Sequence, residues 1–114
     1  MSGIELYQEI QETKKLLDIA LREAKARGIM MNAAEAKYYS VKDLRVRELM
    51  DENKSGTVIS MIIKGEPEVN NAMNKFHDLQ VEYKNACEAI NCYKKWLDYL
   101  REQYQREWTQ SGSE

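Results

Sequence analysis

Apolar residues recur along the chain with the four-three alternation of a helix that buries one stripe. Leu6, Ile10, Thr13, Leu17, Ala20 and Ala24 follow it between Ile4 and Arg27. This predicts an amphipathic helix over about 4–27, with Gly28 as its stop. After the apolar Ile29-Met30-Met31, Asn32 followed three residues later by Glu35 is a helix-start pattern. A second helix is predicted over about 33–52, with a less regular stripe of Ala34, Tyr38, Val41, Leu44 and Leu49. Asp51, Asn53, Ser55 and Gly56 mark the break that follows.

The third stretch carries the strongest pattern. Pro67 suits a first helical turn, and Glu66 and Glu68 suit the positive end of the dipole. From there Ala72, Phe76, Leu79, Tyr83, Ala86, Ile90, Tyr93, Leu97, Leu100 and Tyr104 keep the alternation, with no Gly or Pro before Gly112. A coiled-coil-like helix over about 67–109 is predicted, roughly 43 residues and ~65 Å long, against ~36 and ~30 Å for the first two. The expected fold is therefore all-α: a hairpin of two shorter helices packed on one long helix. It forms one helical domain over 1–109, with a disordered tail over 110–114. A hairpin seated at one end would leave the rest of the seam in water. Tyr93, Trp96, Leu97, Leu100, Tyr104 and Trp108 are accordingly expected to form the interface of a homo-oligomer, a dimer or higher. The alternative is that the first two helices lie end to end along the third and bury all of it. The seam tyrosines need water or a partner for their hydroxyls.

Between the second and third helices lies an apolar segment, 57–64, bounded by Gly56 and Gly65. It reads as a short strand or as one or two turns of helix capped by Thr57, and the Ser60 to Lys64 spacing favours the helix. Thr57, Ser60, Lys64 and the amides around Gly65 are candidate ligands for a phosphate or other anion. The structural alternative is a turn whose Val58, Ile59, Ile62 and Ile63 plug the end of a hairpin. Arg45 with Tyr38 is a second candidate group, since arginine beside an aromatic ring grips nucleotides by stacking and phosphate contact. Asp43 and Glu48 interleave there, as on a salt-bridged, solvated face.

Composition narrows the chemistry. At ~100–200 residues per domain, 114 residues allow one domain. Seventeen basic against nineteen acidic residues leave a net charge of −2, which gives no general attraction to duplex nucleic acid. No apolar run approaches the ~18 residues of a membrane span, and the N-terminus lacks a signal-peptide core, so a cytoplasmic protein is expected. Cys87 and Cys92 sit five apart on one helix, ~8 Å between Cα atoms and beyond disulfide reach; they are expected to be buried or half-buried thiols. His77 is the only histidine, too few ligands for a structural zinc site. No nucleophile elbow, Walker loop or dinucleotide glycine pattern is present, so no enzyme, catalytic residue, metal or cofactor is expected.

Four stretches carry a resemblance over about two thirds of the chain: Ala34-Glu35-Ala36, Thr57-Val58-Ile59-Ser60 with Lys64-Gly65, Glu88-Ala89-Ile90-Asn91 with Tyr93-Lys94, and Arg106-Glu107-Trp108. With these the chain resembles small helical proteins encoded among the early genes of phages and prophages of Gram-positive bacteria. The resemblance implies a phage origin and transfers no functional residue. Small helical oligomers of that origin commonly act by occupancy. The leading expectation is a host-defence antagonist that sequesters a nucleotide signal or blocks a defence protein in the bacterial cytoplasm. The alternatives are an accessory of phage recombination or replication that binds single-stranded DNA or a replication protein, and a structural coiled-coil adaptor.

Overall fold

Ser2 opens the first helix through a capping box. Its Oγ accepts from the Glu5 amide at 3.2 Å, while the Glu5 carboxylate accepts from the Ser2 amide at 3.2 Å. The computed structural model describes residues 2–112, and side chains through residue 110. In it α1 runs unbroken over Gly3–Asp51, α2 over Gly56–Gly65 and α3 over Pro67–Gly112. No strand occurs among the described residues, and the protein is all-α.

The expected break between a helix over 4–27 and another over 33–52 is absent. Gly28 lies inside α1 with no positive φ, and Asn32 caps nothing. A glycine within a helix costs only about 1 kcal/mol, a penalty that packing offsets. Here a Cβ on residue 28 would stand 3.1 Å from Cε2 of Tyr83, so the bare glycine makes room for that ring. The disordered tail expected from residue 110 is also corrected, because α3 continues through Gly112; residues 113 and 114 lie outside the described residues.

The chain divides into two compact units. The first joins Met1–Lys25 to Lys84–Glu114. Here α1 and α3 run antiparallel, with Leu6 and Ile10 against Leu97 and Leu100, and Ala24 against Ala86 and Ile90; half-buried Leu17 touches both groups. Thr13, 1% exposed, sits in this core because its hydroxyl donates to the Glu9 carbonyl at 2.8 Å. The reason for placing Leu97 and Leu100 in an oligomer interface is thereby removed. A continuous α1 covers them within the chain, at 5% and 0% exposure.

The second unit is Ala26–Tyr83. Ala34 packs on Phe76 and Leu79, and Leu49 on Ile59, Ile63 and Val69, with Tyr38 bordering both clusters. Its α1–α2 turn is a Schellman motif. Asn53 takes the left-handed position at φ 60°, its amide donates to the Met50 carbonyl at 3.0 Å, and the Lys54 amide donates to the Leu49 carbonyl at 3.3 Å. Ser55, not Thr57, caps α2, since its side chain accepts from the Val58 amide at 3.3 Å. Pro67 follows an extended Glu66 and begins α3, as its fixed φ and missing donor favour.

Candidate functional site

The expected anion site does not assemble. Thr57 and Ser60 are exposed near the start of α2, whereas Lys64 and Gly65 are exposed at its end. Seven residues of rise, ~10 Å, separate Thr57 from Lys64. The end near Gly65 presents carbonyl oxygens, not free amides. The Glu66 amide donates to the Ile63 carbonyl at 3.2 Å, and Asn70 Nδ2 donates to the Lys64 carbonyl at 3.0 Å. Lys64 stands at the negative end of the helix dipole, which accounts for a cation there without any ligand.

Arg45 reaches the α2–α3 junction but is already engaged. Its Nε donates to Glu66 Oε1 at 2.9 Å and its Nη1 to Glu48 Oε2 at 3.1 Å. The Glu66 hydrogen bond first, then that of Glu48, raises the guanidinium pKa above its ordinary value. An incoming phosphate would meet the negative charge of both carboxylates at this guanidinium. Tyr38 is a half-buried packing residue, stacked on Tyr39 at 5.2 Å and tilted against Phe76 at 6.3 Å, with Lys42 Nζ 5.8 Å from its ring centre. Glu66 was missed as the partner of Arg45, since it lies 21 residues along the chain, at the junction between α2 and α3.

The residues expected at an oligomer interface divide. Leu97 and Leu100 are core, Tyr93 and Tyr104 are half-buried, and Trp96 and Trp108 are exposed. Trp96 stacks on exposed Tyr99 with ring centres 5.3 Å apart. Cys87 is half-buried, within the expectation of buried or half-buried thiols, whereas Cys92 is exposed and departs from it; both are free. No cluster of three or more metal-ligating side chains occurs among the described residues.

Two concave surfaces stand out, one in each unit. In the first unit a cleft of about 520 Å³ is lined by Ser2, Gly3, Ile4, Tyr7, Tyr104, Glu107 and Trp108. Tyr104 holds its walls together, 6.3 Å from Tyr7 and edge-on to Trp108 at 6.2 Å. In the second unit a groove of about 580 Å³ runs between α1 and α3 over Ala33, Ala34 and Ala72, with Lys37, Lys75 and Glu68 on its rims. The first surface is lined mainly by apolar and aromatic groups. No helix is long and apolar enough to cross a membrane. No protein-family model, curated protein or solved structure matches the chain.

Proposed function

We propose that the chain is a non-enzymatic binding protein that acts by occupancy, docking a protein partner on the aromatic cleft of the Met1–Lys25 and Lys84–Glu114 unit. The supporting observation is the exposure of Ile4, Tyr7 and Trp108, at 74%, 53% and 63%, around one cleft. Tryptophan and tyrosine in such a position are the side chains that most often dominate protein–protein affinity. The resemblance to early phage proteins gives the partner's setting, a bacterial host protein, with a defence component as the particular target. Of the two antagonist versions, blocking a protein is favoured over sequestering a nucleotide, because Thr57 and Lys64 stand at opposite ends of α2 and two carboxylates counter the charge of Arg45.

Two measurements test this. Affinity capture from a Gram-positive host compares the wild type with Tyr7→Ser/Trp108→Ser, whose helicity is checked by circular dichroism. A captured protein lost from the double variant is the expected result, and one retained undiminished refutes the docking surface. Calorimetry with cyclic and ADP-ribose-type nucleotides is expected to give no heat. Binding that disappears in Lys64→Ala would restore the nucleotide-sequestering version.

A further inference from the structure

We propose that the groove of the Ala26–Tyr83 unit seats a second copy of this chain, in a two-fold dimer where Glu68 of each subunit enters between Lys37 and Lys75 of the other. The floor of the groove is built from Ala33, Ala34 and Ala72, small enough to let another helix approach closely. Apolar surface within it is uncovered, with Met30 53% exposed.

The charges on the rims identify the occupant. Gly28 faces Tyr83 and Arg45 bonds Glu66, so the antiparallel register brings residue 37 level with residue 74. Lys37 and Lys75 therefore oppose each other across the groove with like charge. Neither they nor Glu68 joins an ion pair among the described residues. Lys37 and Glu68 also have no opposite charge three or four residues away on their own helices, whereas Lys75 has Asp78 three residues on. An anion belongs between the two lysines, and a cation belongs two turns away, beside Glu68.

The α3 face supplies that pattern to itself. Glu68 and Lys75 are seven residues apart, two helical turns or ~10 Å. When a second α3 lies antiparallel in the groove with Asn71 and Ala72 at the two-fold axis, Glu68 of the partner subunit falls opposite Lys75, and Lys75 of the partner subunit falls opposite Glu68. Since Lys37 is level with Lys75, the same glutamate meets both lysines. A two-fold contact requires this self-complementarity, in which each residue's partner is returned by the other chain. The small Ala72 stands at the axis, where two backbones come closest.

Sedimentation equilibrium of the full chain tests the proposal, with circular dichroism confirming helicity. The expected mass is twice the 13.4 kDa of the chain. Glu68→Lys and Lys75→Glu, both at exposed positions, are each expected to yield monomers. The combination Lys37→Glu/Glu68→Lys/Lys75→Glu inverts every charge in the contact and is expected to restore the dimer. Raised salt should weaken the wild-type dimer through screening. A wild type that is monomeric up to millimolar concentration overturns the proposal, as does a dimer indifferent to both single reversals. Reversals that abolish dimerisation without rescue by the triple exchange also overturn it.

Discussion

Gly28 provides a test of whether α1 is held continuous by packing, because two opposing terms of similar size meet at one atom. Replacing glycine by alanine inside a helix stabilises by about 1 kcal/mol. Against this, the new Cβ would lie 3.1, 3.5 and 3.9 Å from three carbons of the Tyr83 ring. With a contact optimum near 3.8 Å and a well of ~0.15 kcal/mol, the first contact is repulsive by about 0.7 kcal/mol and the other two recover about 0.2. Gly28→Ala is thus expected to stabilise by about 0.5 kcal/mol, rising towards 1 if the ring yields by a few tenths of an ångström. Gly28→Val, whose branched side chain cannot avoid the ring, should destabilise by about 1–3 kcal/mol. Urea unfolding followed at 222 nm gives each value, and the same pair in a Tyr83→Ala background isolates the ring's share. There the alanine gain should reach its full ~1 kcal/mol and most of the valine penalty should vanish. A loss above about 1 kcal/mol for Gly28→Ala in both backgrounds would be the behaviour of a helix-ending glycine at positive φ, and would refute a continuous α1.

Further substitutions probe the remaining joints. Leu100→Ala and Leu49→Ala empty positions 0% and 1% exposed in separate cores; each should lose about 2–5 kcal/mol by denaturant titration. Asn53→Gly removes the steric penalty of a left-handed residue and should raise the melting temperature, by the equivalent of up to about 1 kcal/mol. Ser2→Ala deletes the capping box at the start of α1, and a loss of ~0.5–2 kcal/mol, with faster amide exchange over the first turn, is expected. Arg45→Ala and Glu66→Ala should be non-additive in a double-mutant cycle, whereas Arg45→Ala and Ser60→Ala should add, because only the first pair is in contact.

The parts of the fold legible in the sequence are those fixed by local periodicity. The seam from Ala72 to Tyr104 specified α3, and Ser60, Lys64 and Gly65 correctly favoured helix over strand for α2. Gly28 misled because its effect depends on Tyr83, which is remote in sequence and touches it only after the chain has doubled back. The Ser2 and Glu5 capping box is legible in its three-residue spacing. The candidate site failed for a related reason. Helical spacing shows only the neighbours of Arg45 on its own helix, while the carboxylate that accepts from its Nε arrives from the far end of α2. The continuity of α1 also moves the proposed dimer contact away from the end of α3. A hairpin broken at Gly28 would leave Leu97 and Leu100 bare and place a dimer at the end of α3. An unbroken α1 buries them, and the proposed dimer rests instead on the opposed, exposed lysines of the second unit. Unpaired like charges on an apolar groove specify a partner more narrowly than an exposed seam does, because they fix its sign and its register as well as its hydrophobicity.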